Sequence, residues 1–189
     1  MIAKGKSASE CYTYTMILKI VGIKDPVLRK KAKRVGKVDK KIKSLIYDMQ
    51  ETLKAQKDPE GIGLAAPQVG KSLALFIVNF EGLKRVIINP EVIKSKKVDK
   101  TKKAKMTKLL EGCLSLPNYY SPVKRGKYII IKYLDIAGKT VTEEFNDFPA
   151  QVIQHEIDHL DGVLFVDHVL KQNSPLYKFD GDEWEEVEL

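Results

Sequence analysis

Two histidines and a glutamate near residue 155 form the pattern with the clearest chemical meaning in this chain. The segment reads His155-Glu156-Ile157-Asp158-His159. On an α-helix, residues four positions apart are about 40° apart around the axis, so His155 and His159 can reach one metal ion. Glu156 lies on the next face, where it can touch a metal-bound water without binding the metal. This H-E-x-x-H arrangement combines two metal ligands with a general base.

The pattern is specific in a chain with so few histidines. Three histidines and thirteen glutamates occur among the 189 residues. A shuffled chain of this composition contains H-E-x-x-H with a probability of about 0.003. The alternative is that both histidines are structural and bind no metal. The low probability of the motif makes this alternative the less favoured one.

A third metal ligand must come from elsewhere, because catalytic sites usually have three protein ligands and one open position. His168 follows in FVDHVL, and we expect it to be packed or at the surface. Its spacing also differs from that of the H-E-x-x-H-x-x-G-x-x-H proteases. Cys113 is the better candidate, because Gly112 before it allows close backbone approach. A cysteine at such a position is, taken alone, more often buried and inert.

The motif is predicted to lie on a late helix from about Phe148 to Leu160. Asp147 can cap this helix, and Gly162 supplies its stop. Two earlier helices are predicted. A short one opens at residues 25–26 (DP) and runs to about residue 33, and a second one follows residue 39 and ends near residue 56. The second has apolar residues at helical spacing: Ile42, Leu45, Ile46, Met49 and Leu53.

The middle of the chain predicts two β-hairpins. Residues 73–80 and 85–90 are joined by Glu-Gly, and residues 127–136 and 139–145 by Ala-Gly. Helices first, then strands, then one late helix indicate an α+β fold. We therefore expect mainly antiparallel β-sheets packed around the late motif-bearing α-helix in a single compact domain.

The net charge of +8 comes from two lysine-rich stretches. Residues 24–43 contain ten Lys or Arg, and residues 94–108 contain eight Lys against one Asp. Neither stretch has interleaved aromatic residues that could stack on bases. Solvated lysine-rich surfaces are favoured over a nucleic-acid site. A basic RNA-binding module with a structural metal remains a weaker alternative, because such a site needs a fourth ligand and Cys11 is the only other thiol.

Composition also suggests a division of the chain. Residues 1–15 lack the apolar core of a secretory signal and are expected to be a disordered N-terminal extension. Residues 16–170 form the expected catalytic domain. Residues 171–189 are an acidic C-terminal tail, either solvated or an edge segment pinned by Trp184. No apolar run approaches the ~18 residues of a membrane span, so no membrane partner is expected.

Three segments resemble, in the right order, the three signature motifs of peptide deformylases. They are GIGLAAPQ (61–68), EGCLS (111–115) and QHEIDH (154–159). The resemblance extends over about residues 16–167. It implies a hydrolase that removes the formyl group from the N-terminal formyl-methionine of newly made polypeptides.

The resemblance also implies the roles of individual residues. The metal ligands would be Cys113, His155 and His159, with water in the fourth position. Glu156 would be the general base and acid, and Gln68 with the backbone N–H of Leu114 would form the oxyanion site. The native metal of the family is usually Fe²⁺, often replaced by Zn²⁺, Ni²⁺ or Co²⁺.

Substrate contacts are expected around the first motif. Gly61 and Gly63 leave the backbone uncovered, so that an extended peptide could pair with it as an added strand. Ile62 and Val152 are candidates for the walls of a methionine pocket. Both are as readily explained as plain core residues.

Partners and location follow from the resemblance and the charge. The resemblance implies nascent formyl-methionyl peptides as substrates, and we expect a bacterial-type cytoplasm as the location rather than an organelle. The lysine-rich loop 94–108 could contact the ribosome transiently, without recognition of a specific nucleic-acid sequence. An H-E-x-x-H metallopeptidase is the alternative enzyme, and the upstream cysteine and the lack of a downstream third ligand weaken it.

Overall fold

The computed structural model describes residues 16–57, 60–95 and 110–187. The segment before residue 16 and most of the lysine-rich loop lie outside these ranges. The strands of the described part are β1 Gly63–Ala65, β2 Leu75–Phe80, β3 Leu83–Ser95, β4 Glu111–Cys113, β5 Leu116–Ser121, β6 Tyr128–Leu134, β7 Thr140–Asn146, β8 Leu176–Phe179 and β9 Trp184–Val187. The α-helices of the same ranges are α1 Lys40–Ala55, α2 Asp147–Asp161 and α3 Phe165–Gln172, and 3₁₀ turns occupy Pro26–Arg29 and Ala66–Val69.

The strands form two antiparallel sheets. The larger sheet has the order β1-β2-β3-β6-β7, and the smaller has the order β4-β5-β8-β9. Both predicted hairpins are confirmed, as β2 with β3 and β6 with β7. The α+β fold with mainly antiparallel sheets in a single domain is confirmed as well.

The larger sheet lies between two helices, because successive side chains of a strand point to opposite faces. In β2, Phe76 and Val78 belong to the apolar cluster of α2. Leu75 and Ile77 belong to the cluster that contains Ile46, Met49 and Leu53 of α1. The motif-bearing helix is therefore fixed along its length by a buried sheet face.

The smaller sheet packs against α3. The buried residues at this contact are Cys113, Val123, Phe165, Val169 and Leu176. Because β4 ends at Cys113, the smaller sheet places this cysteine at the edge of α2. The junction of the two sheets is where the sequence motifs meet.

The helix boundaries need two corrections. The first helix, predicted from residues 25–26 to about residue 33, is only the 3₁₀ turn Pro26–Arg29, because Lys30 already has an extended backbone with φ −99° and ψ +137°. The side chain of Asp39 caps α1 by accepting from the Ile42 N–H, and Gln56 is its C-cap residue. Gly162 ends α2 with φ +75°, as expected. Asp147, however, is the first residue of α2 and has φ +50°, so the N-cap position belongs to Asn146 and the expected capping by Asp147 is wrong.

The C-terminal acidic segment contains the edge strand β9, which pairs with β8. Of the two alternatives for this segment, the edge strand beside Trp184 is the one observed. Helix α3 had no clear signal in the sequence, since it follows α2 after a three-residue break. In the described ranges no helix is both long and apolar enough to cross a membrane.

Candidate metal and catalytic site

The structure brings three potential metal ligands together at the junction of the sheets. Their ligand atoms, from Cys113, His155 and His159, all lie within 4.8 Å of one another. The Sγ of Cys113 is 3.3 Å from Nε2 of His159. The two histidines share one face of α2, as their four-residue spacing predicted, and β4 supplies the cysteine.

This donor set fits a divalent metal ion. Tetrahedral bonds of about 2.3 Å to sulfur and about 2.0 Å to nitrogen place the two donor atoms roughly 3.5 Å apart, close to the observed separation. Nδ1 of His155 is hydrogen-bonded to Oε1 of Glu111 at 2.7 Å, which leaves Nε2 as the ring atom that could bind a metal ion. One thiolate and two imidazoles leave a coordination position for water or substrate.

The environment of Cys113 favours the thiolate, the form that binds metals. Burial of the thiol raises its pKa. The electrostatic interaction with His159 and the hydrogen bonds from both histidines outweigh this effect, so the pKa lies well below its ordinary value.

Glu156 stands next to the three ligands and is almost fully buried, with 3% of its surface exposed. Burial raises the pKa of its carboxyl group to about 7. Its Oε2 is buried and has no hydrogen-bond partner among the described residues. A carboxyl group with this pKa can accept and return a proton near neutral pH.

The absence of a side chain at Gly63 leaves room for the carboxyl group of Glu156. A Cβ atom built on Gly63 would lie 2.3 Å from Oε1 of Glu156, closer than real Cβ atoms approach any heavy atom. The first motif therefore needs glycine at this position because the carboxyl group occupies the volume of a side chain.

Gln68 presents its amide nitrogen to the site. Its Oε1 accepts a hydrogen bond of 2.8 Å from the Ala65 N–H, which fixes the orientation of the amide group. Nε2 then points to Sγ of Cys113 at 3.5 Å and to Oγ of Ser115 at 3.4 Å. The 3₁₀ turn Ala66–Val69, which carries Gln68, is itself buried.

A chain of charged side chains supports His155 from outside. Glu111, which accepts from His155, is held by two hydrogen bonds of 2.6 and 2.7 Å from Arg125. Arg125 also donates to Asp158 at 2.7 Å, and Asp158 contacts Nε2 of His168 at 2.8 Å. His168 therefore belongs to this network and not to the ligand group, as its spacing predicted.

Arg125 and Glu111, at the centre of this network, are buried. Burial raises the pKa of Glu111, but the hydrogen bond from Arg125 and the charge of His155 outweigh it and hold the pKa well below its ordinary value. Glu111 thus stays an acceptor that fixes the His155 ring, as is usual for the partners of metal-binding imidazoles. Sequence reasoning missed Arg125, because it lies in a segment without any motif.

A cavity of about 210 Å³ opens beside these groups. Ile62, Gly63 and Val152 line it, as does Leu114, the residue after Cys113. Gly61 does not: its Cβ position is 2.6 Å from the carbonyl oxygen of Leu53, so its small size serves packing against α1. Other lining residues had no signal in the sequence: Glu60, Leu110, Tyr120, Phe148 and Gln151.

Comparisons with known proteins agree with this geometry. The sequence model of the family described as "Polypeptide deformylase" matches residues 17–174. The peptide deformylase of Pseudothermotoga lettingae is 46% identical over 152 residues, which cover 80% of this chain and 82% of that protein. The peptide deformylase of Dictyoglomus turgidum is 41% identical and is covered over 97% of its length.

Solved structures of peptide deformylases are also similar to this chain. The crystal structure of peptide deformylase from Thermotoga maritima superposes with a TM-score of 0.70 at 39% identity, covering 80% of this chain and 97% of that one. A peptide deformylase from Synechococcus elongatus, crystallised in complex with actinonin, superposes with a TM-score of 0.71 at 35% identity, covering 92% and 88%. The similarity thus extends over most of each chain.

Proposed function

The chain belongs to the peptide deformylase family, and from this premise we propose how its own residues carry out the family's reaction. The activity is removal of the formyl group from the N-terminal formyl-methionine of new polypeptides, with a divalent metal ion as cofactor. We assign Cys113, His155 and His159 as the metal ligands. Glu156 is the general base and acid, and the observation that carries this is its buried carboxyl group beside the three ligands.

The reaction needs a nucleophile and a proton carrier. When bound, the divalent ion lowers the pKa of a water molecule from 15.7 to about 7 and polarises the formyl oxygen. Glu156 takes a proton from the attacking water and returns it to the amine as the C–N bond breaks, so that formate and a free N-terminus form. Its burial keeps bulk water from competing for that proton.

The negative charge that develops on the formyl oxygen requires hydrogen-bond donors. We assign this role to the Nε2 amide of Gln68 and to the backbone N–H of Leu114. The observed hydrogen bond from the Ala65 N–H supports the assignment, because it turns the donor end of the Gln68 amide towards Cys113. Such fixed donors are effective because they need no reorganisation during the reaction.

The substrate chain is proposed to lie along β1. This strand is at the edge of the larger sheet, so its outer side is not paired with another strand in the described part of the chain. An extended peptide can add to such an edge. Ile62 and Val152 then form walls for the methionine side chain, Gly63 contributes uncovered backbone, and Gly61 supports this segment from behind.

The activity is tested by formate release. Protein purified without oxygen, with its metal content measured, is expected to release formate from a formyl-methionyl peptide. Cleavage of an internal peptide bond, measured on the same sample, would instead indicate an H-E-x-x-H metallopeptidase. If metal-loaded protein releases no formate, the proposed function is wrong.

We propose Fe²⁺ as the native metal, with Zn²⁺, Ni²⁺ or Co²⁺ as possible replacements. A thiolate ligand makes an Fe²⁺ site sensitive to oxygen. Metal analysis of protein purified without oxygen tests this assignment. Activity that decays in air, and is stable after replacement by Zn²⁺, would support it.

A ribosome contact through residues 94–108 is proposed from their charge of +7. Most of this segment lies outside the described residues, so the proposal rests on sequence. Replacing its lysines with glutamine should weaken ribosome binding and flatten its salt dependence. An equal number of substitutions within residues 24–43 is the matched control, and unchanged affinity of the loop variant would contradict the contact. The deformylase relatives favour a bacterial-type cytoplasm as the location.

Gly63→Ala is expected to lower kcat by at least about tenfold while the protein still folds. The new methyl group needs the volume of Glu156 Oε1, so either β1 or the carboxyl group must shift, and such misplacement is costly in an active site. Formate release measures the effect. Gly36→Ala is the control, because nothing lies within 4 Å of its Cβ position. Equal kcat values for both variants would contradict the prediction.

A further inference from the structure

The extended chain of residues 16–23, which we call the bridging segment, connects two turns that belong to different sheets. The Val21 N–H donates to the carbonyl oxygen of Gln68 at 2.9 Å, and the Ile23 N–H donates to the carbonyl oxygen of Ser115 at 2.9 Å. Gln68 lies on the 3₁₀ turn after β1 of the larger sheet, and Ser115 lies between β4 and β5 of the smaller sheet. The bridging segment is therefore a backbone link between the two turns.

The direct contact between the two turns is weak. It consists of side chains, with Nε2 of Gln68 at 3.4 Å from Oγ of Ser115. Within the described ranges, no backbone hydrogen bond joins the two turns to each other. Two residues of extended chain span about 7 Å, so the bridging segment limits how far apart the carbonyl oxygens of Gln68 and Ser115 can lie.

The bridging segment is itself attached to α1. The Leu18 N–H donates to Oγ1 of Thr52 at 2.8 Å, and Thr52 is fully buried. The side chains of Leu18 and Ile20 pack against the apolar cluster that contains the buried residues of α1, and Leu114 packs against the same cluster. The segment is thus held by the core, and it can transmit the position of the core to both turns.

We propose that the bridging segment positions the two hydrogen-bond donors of the oxyanion site relative to each other. This inference rests on the proposed function, which assigns these donors to the Nε2 amide of Gln68 and the N–H of Leu114. The two donors come from different sheets and must point to one oxygen atom, and such donors act only when they are held at the correct place. Val21 and Ile23 do not line the cavity, so they act as positioning residues through Gln68 and Ser115.

Single backbone esters in the metal-loaded full chain test the role of each hydrogen bond. An α-hydroxy acid at one position replaces the N–H by an oxygen and keeps the side chain. The ester at Val21 should lower kcat for formate release from formyl-Met-Ala by about threefold to tenfold, because its oxygen repels the Gln68 carbonyl and shifts the turn. KM and metal content should stay within about twofold, since the ester leaves the substrate contacts and the ligands in place. The ester at Ile23 should act similarly through Ser115.

The ester at Gly22 is the matched control for both variants. Gly22 is exposed, and its N–H donates to no group within the described residues. This ester makes the same chemical change between the two positioning residues but removes no hydrogen bond. We therefore expect kcat to equal that of the unmodified chain.

A double-mutant cycle with Gln68→Ala separates positioning from a general loss of structure. Gln68→Ala removes one donor and should lower kcat by about 100-fold. In this background the Val21 ester should cost less than about twofold, because the donor that it positions is already gone. The Ile23 ester should keep its full effect, since Leu114 is still present. An equal effect of the Val21 ester in both backgrounds would overturn the proposal.

Thr52→Val is the control for stability. It removes the acceptor of the Leu18 N–H and should lower the melting temperature as the esters do, because it loosens the same segment. It does not touch either donor, so kcat should stay within about twofold of the unmodified value. A loss of kcat equal to that of the Val21 ester would overturn specific positioning. An active unmodified chain whose kcat is unaffected by both esters would overturn the role of the bridging segment alone, whereas an unmodified chain that releases no formate would overturn the proposed function itself.

Discussion

Glu156→Gln is expected to lower kcat for formate release by roughly 10²–10⁴-fold while the protein retains its metal. Glutamine fills the same volume beside Gly63 but cannot carry the proton from water to the leaving amine. The three proposed ligands, Cys113, His155 and His159, are unchanged. Metal content per chain and kcat, measured on one preparation, check both parts of the prediction.

The same variant should be no less stable than the unmodified chain. Glu156 is buried, and its Oε2 has no partner within the described structure. Burying a carboxylate in this way is unfavourable, so a neutral amide should leave the melting temperature equal or higher. Glu51→Gln, on the exposed surface of α1, is the control for both measurements. Near-normal turnover would show that another group is the base, and lost metal would show that Glu156 is a ligand.

The sequence predicted the features that depend on local geometry, but not those that depend on contacts between distant segments. The spacing of His155 and His159 predicted their shared face, since helical geometry is local. Residue types alone did not reveal that Gly63 leaves room for Glu156, because the two residues meet only when β1 packs against α2. Arg125 was missed for the same reason, since its partners Glu111 and Asp158 come from β4 and α2.

The acidic C-terminal segment shows a second limit of prediction from the sequence. Its composition is that of a solvated segment, and only Trp184 hinted at an attachment. Strand pairing with β8 and ring contacts with Tyr120 and Phe179 outweigh the charge. A strand of four residues with two adjacent glutamates carries too weak a local signal to be predicted, because its partner strands determine its conformation.

Cys113→Ala should raise the dissociation constant for the metal by more than about 100-fold. The variant loses the thiolate and leaves two imidazoles, fewer than the three protein ligands that catalytic sites usually have. Removing a hydrogen-bond partner of a ligand typically costs only about 10–100-fold, which sets the lower bound. Titration with a chelator, followed by metal analysis, measures the change, and formate release should fall in proportion to the metal lost.

Two further variants show whether Cys113 acts directly. Glu111→Gln keeps all three ligands but weakens the support of His155, so its affinity should fall between those of Cys113→Ala and the unmodified chain. Cys11→Ser removes the other thiol and should leave metal binding unchanged. This order of affinities requires Cys113 to be a ligand and Glu111 to position one. A Cys113→Ala protein that binds metal as tightly as the unmodified chain would contradict the assignment, and a loss with Cys11→Ser would favour a closed structural site instead.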